Sequence, residues 1–101
     1  MSRNRVELSG RLLLTGPLRH TPAAVPVFEM RLEHESNQLE AGLPRSVKAS
    51  IASVAIGPLA ERLSRLRSGD PVILKGFLAA RRANSRSMVL HVTEFELAQE
   101  N

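Results

Sequence analysis

A single helical stripe, enclosed on both sides by sequence of period two, limits this chain more than any other feature. Gly57 stands at the cap position, Pro58 at the first helical position and Glu61 in the first turn, where the helix dipole favours an anion. Leu59, Leu63 and Leu66 fall at i, i+4 and i+7 and make one narrow apolar stripe. Arg62, Arg65 and Arg67 load the later turns as cations on a solvated face, and Gly69 is read as the residue that ends the helix. Ser68-Gly69-Asp70-Pro71 is then a turn: glycine takes φ > 0, aspartate bonds its own backbone, and proline fixes φ. Val72, Ile73 and Leu74, all apolar and mostly β-branched, leave that turn as a strand.

Around this helix the chain alternates. Arg5 to Leu14 places Val6, Leu8, Gly10, Leu12 and Leu14 on one face, with mid-strand Gly10 suited to a bend or bulge. Its end, Leu12-Leu13-Leu14, is apolar on both faces, which marks it as the candidate dimer interface. Thr15-Gly16-Pro17 is a turn, and Arg19 to Val25 reads as loop. Val27 to His34 is a second strand, with Glu29, Arg31 and Glu33 on its polar face. Ser36 to Pro44 lacks periodicity and reads as a long, mobile hairpin loop. Arg45 to Ala55 is a third strand, Val72 to Ala80 a fourth and Met88 to Leu97 a fifth, with 81–87 connecting the last two. Residues 98–101 read as a frayed tail. Three strands, a helix and two strands is the order of the all-β OB-fold, a five-stranded Greek-key barrel with one short helix between strands three and four; split sandwiches share it.

Totals narrow the function. The 101 residues suit one domain, spanning 1–101. Without cysteine there are no disulfides, thiol nucleophiles or Cys-ligated metals. His20, His34 and His91 are scattered, no Gly-rich phosphate loop or nucleophile elbow is visible, and no cofactor, metal site or enzymatic activity is expected. The start, Met-Ser-Arg-Asn-Arg, has no apolar export region, and no run is long enough to span a membrane, so a cytoplasmic location is expected. Charge is polarised: residues 1–44 are neutral, 45–86 carry +7 and 87–101 carry −3. A polyanion is the natural partner of such a middle segment.

OB-type binders of single-stranded nucleic acid use a groove across strands two and three, walled by the loops that follow strands one and four. Arg19 lies in the first of those loops, Arg31 and Lys48 on the strands, and Arg81, Arg82 and Arg86 in the last loop. These six are the expected nucleic-acid contacts, with His20, Arg45 and Lys75 as weaker candidates.

Several segments resemble the bacterial primosomal replication protein N (PriB) family, a member of the single-stranded-DNA-binding-protein-like OB-fold group. They are Asn4-Arg5-Val6-Glu7-Leu8-Ser9-Gly10, Leu32-Glu33-His34, Glu40-Ala41-Gly42, Gly76-Phe77 and Met88-Val89-Leu90-His91, in the right order over nearly the full length. The resemblance implies a non-catalytic homodimer that binds ssDNA, stimulates the PriA helicase and helps recruit DnaT in replication restart. Two alternatives stand beside it: a protein–protein adaptor with little ssDNA role, and a general single-stranded nucleic-acid binder, RNA included. In the family, aromatic and basic side chains carry ssDNA. Here the family's strand-three tryptophan falls at Lys48 and a loop aromatic at Leu43; there is no Trp or Tyr, and Phe28, Phe77 and Phe95 fit core positions. Binding without a stacking platform is expected to be weak and mainly electrostatic.

Overall fold

The computed structural model describes residues 2–98 of the chain; the expected frayed tail falls, apart from Ala98, outside the described residues. Its elements are β1 (Val6–Leu14), β2 (Arg19–His20), β3 (Pro26–Glu40), β4 (Leu43–Ile56), α1 (Pro58–Ser64), β5 (Pro71–Ala80) and β6 (Met88–Leu97). Five strands close a barrel in the order β1-β5-β6-β4-β3, with β3 returning to β1; this is the OB-fold. Arg19 and His20, read as loop, instead form the two-residue strand β2 against Val27 and Pro26.

Closure depends on β1 serving two neighbours. Its first part pairs with β5, from Val6↔Gly76 to Arg11↔Pro71, and its last part with β3, from Arg11↔Glu33 to Leu14↔Met30. Gly10 sits where β3 arrives: a Cβ there would lie 2.4 Å from the Glu33 carbonyl oxygen. Only a residue without a side chain lets the backbones approach this closely. The inner faces of the strands meet in one core, in which Leu12, Phe28, Leu32, Leu74 and Leu90 are almost wholly buried. On the transfer scale, each such side chain contributes about 1.5–3 kcal/mol.

α1 packs against β3 and β4 through buried Ala60 and Leu63, with Leu59 and Leu66 at the margin of the core. Gly57 caps it at φ 89°, a conformation that disfavours a side chain. The helix is shorter than expected. It ends at Ser64, because the Arg65 and Leu66 amides bond back only three residues, to Arg62 and Leu63, which tightens the turn. Gly69 therefore does not end the helix. At φ 97° it belongs to the next turn, and its amide donates to the Leu12 carbonyl at 2.7 Å. Asp70 returns the bond by accepting the Leu12 amide at 3.0 Å, and Ser68 Oγ accepts the Leu14 amide at 2.9 Å. The turn thus covers the edge of β1 that β3 leaves open.

The segment read as a mobile loop is strand. β3 and β4 stay in unbroken antiparallel register from Val27↔Ile56 to Glu40↔Leu43. Only Ala41 and Gly42 make the turn, both with positive φ (54° and 78°), the backbone of a type I′ hairpin. Residues 37–46 are exposed on both faces, so this arm had no apolar alternation to reveal it. In β6 the alternation slips. Lys75 pairs with Glu94 but Gly76 with Val92, leaving Thr93 as an extra residue that changes the phase of the strand. Leu90 and Val92 therefore face inward before Thr93 and Phe95 after it, whereas strict alternation put Val92 and Phe95 on opposite faces.

Candidate nucleic-acid interface

The outer surface of β3 and β4 is set by the same register. Pairs Glu29↔Val54, Arg31↔Ala52, Glu33↔Ser50 and Glu35↔Lys48 run down it in successive rows. Arg31 is held firmly: Nε donates to Ser50 Oγ at 2.8 Å and Nη2 to the Ser50 carbonyl at 3.1 Å, and among the described residues the Nη1 donors have no partner. Ser50 Oγ donates in turn to Glu33 Oε1 at 2.9 Å. A parallel pairing, Ser53↔Leu90 and Val54↔His91, carries the surface on to β6.

A groove of about 410 Å³ lies over this junction. It is lined by Ala52, Val54, Val89 and His91 together with the charged side chains of Arg31, Arg81 and Glu29, the last of which is paired with Arg19. Another concavity that shares Arg31, Ala52 and Arg81 with it also includes Ser87 and Met88. Arg81 begins the β5–β6 connection, where its amide donates to the Ser87 carbonyl at 2.9 Å and the Ser85 amide to the Arg82 carbonyl at 3.0 Å. These bonds fix the connection as a hairpin and present Arg81, Arg82 and Arg86 outward. None of the three makes an ion pair among the described residues.

The other expected contacts are placed differently. Lys48 pairs with Glu35 at 3.4 Å, Arg19 with Glu29 at 3.4 Å, Lys75 with Glu7 at 3.7 Å, and Arg45 with Glu40. All these side chains are substantially exposed, so each pair contributes little to stability, but each brings a carboxylate beside the cation. Glu29, Glu33 and Glu35 share the outer face of Arg31 and Lys48, and the strand face is close to electrically balanced. The parity of Glu29, Arg31 and Glu33 already carried that information. Net positive charge is concentrated in the β5–β6 hairpin. Arg45 stands on the β3–β4 arm, Lys75 on the β1–β5 surface, and His20 on β2, where its register partner is Pro26.

Among the hydrophobic residues, Leu12 is 1% exposed and belongs to the chain's own core, so it is not available to a second molecule. Leu13, at 41%, is available. Phe28 is core and Phe95 packs at its margin, where Arg62 lies over the ring at 5.2 Å. Phe77 is not a core residue. It is 40% exposed on the outer face of β5, stacked on His91 at a centroid distance of 5.1 Å and an interplanar angle of 4°. Odd positions of β5 point outward (Val72 and Leu74 are buried), and that was the signal available for Phe77. Its pairing with His91 depends on the bulge and was not readable.

Among the described residues no group of His, Asp or Glu converges as a metal site. No helix is long and apolar enough to cross a membrane.

Comparison with known proteins agrees with this geometry. A family model described as another single-strand binding protein family matches residues 4–94. The replication restart protein PriB of Bordetella pertussis is 44% identical over 91 residues, covering 90% of this chain and 85% of that protein. The solved structure of PriB from Ralstonia solanacearum has a TM-score of 0.87 at 31% identity, covering 97% of this chain and 100% of the other. A small single-stranded DNA-binding protein from Streptomyces coelicolor shares the fold, with a TM-score of 0.72 at 20% identity over 97% of this chain and 95% of that one. By sequence over most of its length and by fold, this chain belongs to the replication restart protein PriB family, within the SSB-like OB-fold group.

Proposed function

We propose that the chain is a non-catalytic ssDNA-binding accessory of the replication-restart primosome, acting as a homodimer that stimulates the PriA helicase and helps recruit DnaT. The observation that carries the binding part is that Arg31 and Arg81, from distant parts of the sequence, line one groove. Arg82 and Arg86 extend that positive edge. The strand face is balanced by carboxylates, so the strand binds mainly along the hairpin side, in a salt-sensitive and sequence-tolerant way. About four neutralised phosphates, at a slope of roughly −0.7 each, correspond to an affinity loss of about fifty-fold between 50 and 200 mM salt.

The dimer is proposed to form on β1. The Val6–Ser9 edge that faces away from β5 has no strand partner among the described residues, and Leu13 is exposed at the far end of the same strand. The helicase and DnaT roles rest on family membership. A second reading, an adaptor whose ssDNA contacts are incidental, is favoured by the balanced strand face.

One titration separates the two: a fluorescent oligonucleotide, with and without PriA, against the wild type and an Arg81→Ala/Arg82→Ala variant. The expected result is weaker ssDNA binding, with the salt slope shallower by about 1.4 for the two lost contacts. Intact ssDNA binding with abolished helicase stimulation would establish the adaptor reading instead.

A further inference from the structure

Phe77 and His91 stand side by side on β5 and β6, register partners whose rings are parallel to within 4°. β6 lies between β5 and β4, so Phe77 covers one face of the imidazole and the other face turns toward Val54 and the Arg31–Arg81 groove. The pair forms a partition. On its far side Phe77 lines a second concavity with Asn4, Arg5, Lys75 and Thr93. The core closes beneath this pair through Leu74, Leu90 and Val92, so the two rings are held together on the outer surface of the sheet.

We propose that the Phe77–His91 stack is a base platform: an unpaired nucleobase of a single strand lies on the groove face of His91, backed by Phe77, while Arg31 and Arg81 hold its flanking phosphates. This rests on the ssDNA-binding reading and deepens it. The occupant is set by the combination on the page. Apolar Ala52, Val54 and Val89 beside a stacked ring suit a planar base, and the guanidinium groups of Arg31 and Arg81 in the same groove suit the anionic links to either side. The carboxylate that also lines the groove, Glu29, is already paired with Arg19. An anion alone would not require the rings, and an apolar peptide would not require the arginines.

The test compares two probes of equal length, oligo-dT and an abasic strand that keeps the phosphates and lacks the bases. The wild type is expected to bind oligo-dT more tightly, and His91→Ala to weaken oligo-dT binding by roughly fivefold to a hundredfold while leaving abasic binding and the salt slope unchanged. Phe77→Leu is expected to act in the same direction and less. NMR on the wild-type protein guards against a variant that fails to fold: the His91 ring protons are expected to move upfield with saturating oligo-dT and to stay in place with the abasic strand. Equal wild-type affinity for both strands with unmoved His91 protons overturns the platform and leaves the electrostatic reading standing. Binding of neither strand overturns both.

Discussion

The two ends of the β3–β4 hairpin share one ladder and are held by different forces. At its base, Phe28, Met30 and Leu32 of β3 and Ala55 of β4 turn one face into the barrel core. In the arm, residues 37–46 are exposed, and Leu39 and Leu43 stand 75% and 68% open to solvent near the tip. Backbone hydrogen bonds alone contribute little net stability, because water replaces them on opening. The base is therefore held by burial, and the arm by its ladder, its turn and exposed ion pairs such as Glu40–Arg45. The lesson extends to function: the groove with Arg31 and Arg81 lies over the base, on the rigid end, and the arm adds reach without adding net charge.

The sharpest way to break this contrast is to remove the same side chain at both ends. Leu32→Ala empties a fully buried position and is expected to destabilise the protein by about 2–5 kcal/mol in urea denaturation. Leu39→Ala, the matching truncation in the arm, is expected to change stability by less than about 0.5 kcal/mol. Comparable losses at the two sites would mean that the arm is buried in solution, for instance against a second copy.

Next in size is the contact that ties the base of the hairpin to β1. Gly10→Ala drives a Cβ to 2.4 Å from the Glu33 carbonyl oxygen, a backbone atom that moves only if the strand moves. A loss of about 1–3 kcal/mol is expected, measured as a lower thermal midpoint. Because Arg31 lies two residues from Glu33 and pairs with Leu13 across the same junction, ssDNA affinity is expected to fall as well. An unchanged midpoint would mean that β3 is not pressed against β1 at this point.

How much of this was legible follows the same division. Where one face of a strand is buried, alternation located it: β1, the base of β3 and β6 all lie within one or two residues of their expected bounds, and strand order alone pointed to the barrel. In the arm the driving pattern is missing, since Asn37, Gln38 and Glu40 are polar on both faces, and Ala41-Gly42 is a weaker hairpin signal than Asn-Gly. Arg81, Arg82 and Arg86 were readable as a cluster because they are near in sequence. That carboxylates share the outer face of β3 was readable from the parity of Glu29, Arg31 and Glu33, whereas the particular pairs they and Glu7 form with Arg19, Lys48 and Lys75 depend on the fold. The outward position of Phe77 follows from the parity of Val72 and Leu74, but its stacking on His91 depends on the extra residue at Thr93, which no alternation reveals.

The smallest expected effect gives the finest probe of the two ends. Ala41 occupies the first central position of the type I′ turn at φ 54°, where an L-residue with a Cβ is strained and asparagine is preferred. Ala41→Asn is expected to stabilise the closed arm by about 0.5–1 kcal/mol, the equivalent of a twofold to fivefold slower amide exchange there. The amides of β4 near the tip, those facing Glu40 and Gln38, are the ones to follow by native-state hydrogen exchange. If the arm opens by itself, these slow while the amides around Leu32 keep their wild-type rates and the thermal midpoint does not move. If base and arm open together, the gain spreads evenly over the whole hairpin and the midpoint rises. The second result would make the ladder one cooperative unit despite its two kinds of support, and a ligand that ordered the tip would then stiffen the Arg31 end of the groove as well.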